Sequence, residues 1–144
     1  MMRVTRRYRF AAAHRLHSNL FSEELNRELY GKCNNPHGHG HDYVLEVTAA
    51  GPLDPVSGLA VNIPALDRLV ADQVLRDFDH HYVNADLAEF ENLVPTSENI
   101  IRVIENRLKR HWHSAFAGEW PRLESIQLRE TRRNRFESKV SEET

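Results

Sequence analysis

His39 and His41, two histidines separated by one glycine, have the spacing of a metal-binding pair. On a β-strand, side chains two residues apart point to the same side, so two imidazoles placed this way can hold one metal ion. Tyr43 continues that side of the strand, so the imidazoles face an apolar interior, where an unpartnered ring is costly. His14 ends a second alternating run. Three histidine ligands would leave a fourth coordination position open, which is typical of a catalytic zinc site.

The elements that must position these histidines can be predicted from periodicity. Alternating polarity predicts four strands, at residues 3–14, 39–50, 122–131 and 133–138. Helical spacing predicts helices over residues 64–78 and from a Thr96 or Ser97 cap to about His113, with short helical character around Glu23–Tyr30.

The order ββααββ is typical of an α+β domain, here a single domain over residues 1–144. We expect a four-stranded antiparallel sheet with two helices on one face. Such a small sheet has unpaired edges that favour pairing with other subunits. The polar tail from about residue 139 is expected to be disordered.

Composition excludes several classes of function. The chain has 144 residues, 40% of them hydrophobic, and a net charge of −2, which argues against nucleic-acid binding. No apolar run approaches the roughly 20 residues of a membrane span, and no signal peptide is evident. The single cysteine, Cys33, excludes an internal disulfide and suits the cytoplasm. Its position between Lys32 and a histidine cluster predicts a lowered thiol pKa.

Six segments, in this order and spacing, resemble the 6-pyruvoyl-tetrahydropterin synthase family, which includes the 6-carboxytetrahydropterin synthases of the queuosine pathway. The resemblance covers roughly residues 5–135, and its segments are Phe10–Leu16, Gly31–Tyr43, Leu53–Gly58, Asp79–His81, Pro95–Asn99 and Glu130–Thr131. It implies the T-fold (tunnelling fold), in which three subunits close their sheets into one β-barrel. Two barrels then stack as a homohexamer, a dimer of trimers, with active sites between subunits.

The resemblance also implies roles for individual residues. The implied zinc ligands are His14, His39 and His41. The general base is Cys33, with Asp79 and His80 as its proton relay. The implied pterin-binding residues are Glu130, which anchors the ring, with Thr96 and Ser97 nearby. The implied substrate is 7,8-dihydroneopterin triphosphate, from which a base removes a C–H proton while zinc polarises the side-chain oxygens and triphosphate is lost.

Three alternatives stay open. His37 shares the strand parity of His39 and His41, so the ligand pair could be His37 with His39. The product could be 6-carboxy-5,6,7,8-tetrahydropterin, formed from the same substrate with release of acetaldehyde, rather than 6-pyruvoyl-tetrahydropterin. The chain could also be a non-catalytic module that binds a pterin or a purine. Arg15, Lys32 and Arg68 are candidates for contacting the triphosphate.

Overall fold

A five-stranded sheet forms one layer of the molecule. The computed structural model describes residues 1–140, with strands β1 (Met2–His14), β2 (His39–Gly51), β3 (His81–Tyr82), β4 (Arg122–Arg129) and β5 (Arg135–Lys139). Their order across the sheet is β3-β1-β2-β4-β5. β1 and β2 pair antiparallel, and their register places His14 opposite His39 and Ala12 opposite His41. The three histidines therefore lie on the same face, at the same end of this strand pair.

Helices and turns connect the strands. Helix α1 (Glu23–Tyr30) follows β1, and a 3₁₀ turn (Gly31–Asn34) leads into the loop before β2. Helix α2 runs through an α segment (Ile63–Val70), a π segment (Ala71–Leu75) and a last turn (Arg76–Phe78). A short helix α3 (Val83–Asp86), a 3₁₀ turn (Ala88–Phe90) and the long helix α4 (Ser97–Ala115) precede β4.

Helices α2 and α4 cover one face of the sheet, as predicted. Their apolar sides join the inward side chains of the strands in one core, whose fully buried members include Tyr43, Leu45, Val47, Leu66, Val70, Ile100, Ile104, Leu108, Ile126 and Leu128. Each aliphatic side chain of this set contributes about 1.5–3 kcal/mol through burial. The histidine end of β1 and β2 borders this core, so packing against the core supports the backbone that carries the histidines.

The prediction of four antiparallel strands is wrong in one respect. The fifth strand, β3, pairs parallel with β1, with Ala12 opposite His81 and Ala13 opposite Tyr82. Two residues are too few to show an alternating pattern, so sequence periodicity could not identify this strand. The predicted helical character of Glu23–Tyr30 is confirmed as α1.

The tail predicted to be disordered from about residue 139 continues the sheet at its first two residues. Lys139 pairs with Ser125 in the sheet, and the backbone N–H of Val140 donates to the carbonyl of Glu124 at 2.9 Å. The rest of that prediction, for residues 141–144, lies outside the described residues. Within residues 1–140, no helix combines the length and the apolar character that crossing a membrane requires.

Candidate metal and active site

His14 has the environment of a metal ligand. Its side chain is fully buried, and its Nδ1 lies 2.8 Å from the carbonyl oxygen of Pro95. A carbonyl only accepts, so Nδ1 carries the proton and Nε2 presents a lone pair. Among the described residues, that Nε2 is a buried polar atom with no hydrogen-bond partner. Burial lowers the pKa of His14, which keeps the ring neutral as metal binding requires.

His41 is the centre of the cluster. Its ring meets that of His14 edge-on, with centroids 4.9 Å apart, and its Nε2 is 3.2 Å from Oε1 of Glu130 and 3.6 Å from Sγ of Cys33. Burial lowers the pKa of His41, although Glu130 opposes that effect. The exposed His39 lies at the rim, its ring centroid 4.7 Å from that of His41.

These side chains fit a metal ion. Four side chains each offer one potential ligand atom, and these atoms all lie within 4.8 Å of one another. The four residues are His14, Cys33, His41 and Glu130. Imidazole nitrogen, thiolate sulfur and carboxylate oxygen are all zinc ligands, and the unpartnered Nε2 of His14 points to an ion that would satisfy it. The structure thus brings together two of the predicted ligands, His14 and His41. The assignment of His39 as the third ligand stays a prediction.

His37 does not share the strand geometry of the other histidines. Strand β2 begins at His39, and Gly38 before it has a φ of 80°. A Cβ on Gly38 would lie 2.8 Å from Cε2 of Tyr82 and 3.0 Å from the carbonyl oxygen of His14, so glycine is needed here. The turn breaks the alternation, and His37 is exposed. The expectation that His37 keeps the parity of His39 and His41 is therefore wrong.

Cys33 lies beside the histidine cluster, but its thiol is not activated in the way the sequence predicted. It is half-buried in the 3₁₀ turn beside His41. Burial raises the pKa of the thiol, and the Glu130 carboxylate raises it further. Lys32 is exposed, and burial keeps His14 and His41 neutral. The prediction that these neighbours lower the thiol pKa is wrong.

Glu130, Ser97 and Thr96 meet at the start of α4. The carboxylate of Glu130 faces inward, and its Oε2 accepts a short hydrogen bond from the Ser97 hydroxyl. The Glu130 side chain is only 13% exposed. Thr96 caps the helix, its Oγ1 accepting from the N–H of Asn99 at 3.2 Å. Of the two predicted cap residues it is therefore Thr96 that caps α4, while Ser97 contacts the carboxylate predicted to anchor the pterin.

Asp79 and His80 lie together at the outer edge of β1. The N–H of Ala11 donates to Oδ1 of Asp79 at 2.9 Å, and Oδ2 of Asp79 is 3.6 Å from Nε2 of His80. The His80 side chain is 82% exposed, and its backbone has a φ of 62°. His80 borders a groove of about 440 Å³, whose lining includes Ala11, Ala13, Gly40 and Asp42 and also the inward-facing Ala12 and His41. Among the described residues, no hydrogen bond or ion pair joins His80 to Cys33.

Several residues that build the site were missed in the sequence. Asn26, fully buried, donates to the carbonyls of Ser18 and Ser22 and accepts from the N–H of Ser18, which pins the loop after β1. Asn34 donates to the carbonyl of Leu16 at 2.7 Å and ties the Cys33 turn to that loop. The position of Asn34 beside Cys33 was the only signal available. No sequence pattern identified Asn26 or the Pro95 carbonyl as part of the site.

Comparison with known proteins agrees with this geometry. The family model described as 6-pyruvoyl tetrahydropterin synthase matches residues 3–140. The chain belongs to the 6-pyruvoyl tetrahydropterin synthase family. It is 44% identical to 6-pyruvoyl tetrahydrobiopterin synthase of Poecilia reticulata over 97 residues, which is 67% of this chain and 66% of that protein. It is 39% identical to the Homo sapiens protein of the same name over 107 residues, 74% of each chain.

A solved structure of the same family has the same fold. Caenorhabditis elegans 6-pyruvoyl tetrahydropterin synthase superposes with a TM-score of 0.85 and 36% identity, covering 97% of this chain and 96% of that one. The similarity spans nearly the whole chain, so the T-fold expected from the sequence motifs is confirmed for a single chain.

Proposed function

We propose that this chain is a zinc-dependent lyase that converts 7,8-dihydroneopterin triphosphate to 6-pyruvoyl-tetrahydropterin with loss of triphosphate. Family membership and the names of the relatives support the reaction. The observation that carries the proposal is the buried, unpartnered Nε2 of His14 in a cluster with His41, Cys33 and Glu130. A structural core histidine would have both ring nitrogens satisfied.

The metal would be held by His14, His39 and His41. The Pro95 carbonyl fixes the tautomer and orientation of His14, which is the usual supporting contact of a zinc-bound histidine. Zinc bound there supplies Lewis acidity toward the hydroxyl oxygens of the substrate side chain.

Glu130 would hold the pterin ring. A carboxylate accepts two N–H donors side by side, which matches the amino-pyrimidine edge of a pterin. The Ser97 hydroxyl already donates to Oε2 of Glu130 and so fixes the direction of the carboxylate. The ring would therefore be oriented before any chemistry occurs, with its side chain directed toward the histidines.

Cys33 would remove the proton from the substrate carbon, since its Sγ borders the same cluster. The proton then has to leave the thiol. Because Asp79 and His80 of the same chain lie at the outer edge of the sheet, we propose that a neighbouring chain supplies this pair in a homohexamer. The Asp79 carboxylate would orient the His80 ring for proton transfer.

Incubation of the purified protein with 7,8-dihydroneopterin triphosphate, followed by mass spectrometry, tests the proposal. We expect 6-pyruvoyl-tetrahydropterin and triphosphate, with Cys33→Ala as the inactive control that keeps its zinc. 6-Carboxytetrahydropterin with acetaldehyde would contradict the product and assign the chain to the carboxy-forming branch. Pterin binding without turnover would contradict catalysis and identify a binding module.

A further inference from the structure

Arg107, on helix α4, holds both ends of the segment that carries Asp79 and His80. Its Nη1 donates to Oδ2 of Asp77 at 2.6 Å, in the last turn of α2 before the pair. Its Nε and Nη2 donate to the two carboxylate oxygens of Glu89 at 2.7 and 2.9 Å, in the 3₁₀ turn that follows the pair. The Arg107 side chain is only 15% exposed. A buried guanidinium with this forked geometry is a stiff connection between the two segments.

Arg107 also contacts the irregular part of α2. Its Nη1 donates to the carbonyl of Gln73 at 2.9 Å, which lies in the π segment Ala71–Leu75. A π turn inserts one extra residue, which interrupts the regular hydrogen bonding of the helix and changes the direction of the side chains after it. The Arg107 Cζ lies 5.6 Å from the ring centroid of Phe78, the fully buried residue before Asp79. The direction in which α2 presents Asp79 therefore depends on this guanidinium.

The pair itself is attached to the sheet through the backbone of Ala11. The N–H of Ala11 donates to Oδ1 of Asp79 at 2.9 Å, and the N–H of His80 donates to the carbonyl of Ala11 at 2.6 Å. The N–H of Asp79 donates to the carbonyl of Leu75 at 2.9 Å, at the end of the π segment. His80 has a φ of 62°, a conformation that a residue other than glycine keeps only when its surroundings enforce it. The geometry of the pair is thus imposed by the end of α2.

We infer that Arg107 is a positioning residue for Asp79 and His80. It keeps the end of α2 and the following 3₁₀ turn in fixed places, so that both hydrogen bonds to Ala11 form together. Within the described chain, the hydrogen bonds of the Arg107 side chain go to the segments that flank the pair. The inference rests on the proposed function, which assigns proton transfer to the pair.

Hydrogen–deuterium exchange detected by mass spectrometry tests the inference without relying on turnover. The test variant is Arg107→Gln. The matched control is Arg6→Gln, which also removes a forked ion pair of α2, with Asp67 near the start of the helix. We expect the amides of Ala11 and His80 to exchange at least about tenfold faster in Arg107→Gln than in wild type, because several charge-assisted hydrogen bonds are lost. Core amides of β2 serve as the reference for global unfolding, and relative to them the control should match wild type.

Turnover provides the second measurement. Arg107→Gln should lower kcat about tenfold through misplacement of the pair, while KM and zinc content stay at the wild-type values. In a His80→Ala background the same substitution should lower the residual kcat no further, since Arg107 acts through the pair. Arg107→Lys keeps the charge but loses the fork, so it should show a smaller effect in the same direction. That variant carries the comparison if Arg107→Gln does not fold.

Three results would overturn the inference. The first is equal acceleration of exchange at the pair and in the β2 reference, which would leave Arg107 as an ion pair that only stabilises the fold. The second is an equal loss of kcat in the wild-type and His80→Ala backgrounds. The third is an unchanged kcat in Arg107→Gln. Failure of the proposed function is a different result: wild type would not turn over dihydroneopterin triphosphate, and the exchange rates would still decide whether Arg107 positions the pair.

Discussion

Mixing two inactive variants tests whether Cys33 and His80 act from different chains. In one chain, Cys33 lies beside His41 on the inner face of the sheet, whereas the His80 side chain is 82% exposed at the outer edge. Removing a positioned proton-transfer group usually lowers the rate by about 10²–10⁴-fold, so Cys33→Ala and His80→Ala should each be nearly inactive. Both should keep their zinc, because neither change touches the three histidines.

The recovery expected on mixing follows from the arrangement of the sites. If each site takes Cys33 from one chain and His80 from another, random association of equal amounts leaves both native residues at about one site in four. Co-expression of the two variants with different tags should therefore restore about a quarter of wild-type kcat, at least ~25-fold above either variant alone. The assay is steady-state release of triphosphate by the purified mixed assembly.

A second mixture provides the matched control. Wild type co-expressed with the double variant Cys33→Ala/His80→Ala should retain about a quarter of the activity if the residues act between chains, and about half if they act within one chain. No recovery in the first mixture, together with half the activity in the second, would refute the intersubunit site. The same outcome would require His80 to reach Cys33 by a movement within the chain.

Three further predictions concern the metal and the fold. His39→Ala should remove zinc and activity together, whereas His37→Ala should keep most of the zinc. Elemental analysis of both variants measures the zinc content. Loss of zinc in His37→Ala would contradict His39 and His41 as the ligand pair. Gly38→Ala should cost about 2–4 kcal/mol in unfolding free energy, from the positive φ and the contact with Tyr82, and should lower zinc occupancy. The hydrogen bond from Arg107 depresses the pKa of Glu89 below its usual 4.5. This ion pair therefore stabilises the fold above about pH 4.5, and the stabilisation is lost as pH falls through the pKa of Glu89 in the folded protein. Urea midpoints measured from about pH 6 to about pH 3 should therefore fall less steeply in Arg107→Gln than in wild type.

The main elements could be predicted from the sequence because their patterns are strong. β1 and β2 alternate over 13 residues each, and α4 repeats its apolar side over 19 residues. The metal prediction rested on the spacing of His39 and His41 and on His14 at the end of a second alternating run, and the strand register brings all three to one end of the sheet. β3 could not be predicted, because a two-residue strand is formed by its tertiary contacts with β1 and not by local preference.

The electrostatics of the site could not be predicted from local sequence. Lys32 is adjacent to Cys33 in the chain, and adjacency suggested an activated thiol. In the fold, burial and a carboxylate from a distant strand end, Glu130, have the larger effect on the thiol pKa. Local sequence gives neither the depth of a side chain nor its long-range neighbours, and both determine a pKa.

The segment from Pro95 to Ser97 connects the two binding functions of the site. The Pro95 carbonyl holds His14 in the tautomer that a metal needs, and Ser97, two residues later, orients the Glu130 carboxylate. Between them, Thr96 caps α4 and so fixes the helix start that carries both contacts. A shift of this helix end would disturb both His14, the proposed metal ligand, and Glu130, the proposed ring anchor. The distance between them is then set by the packing of α4 on the sheet, so a segment with no reacting group of its own positions both proposed binding residues.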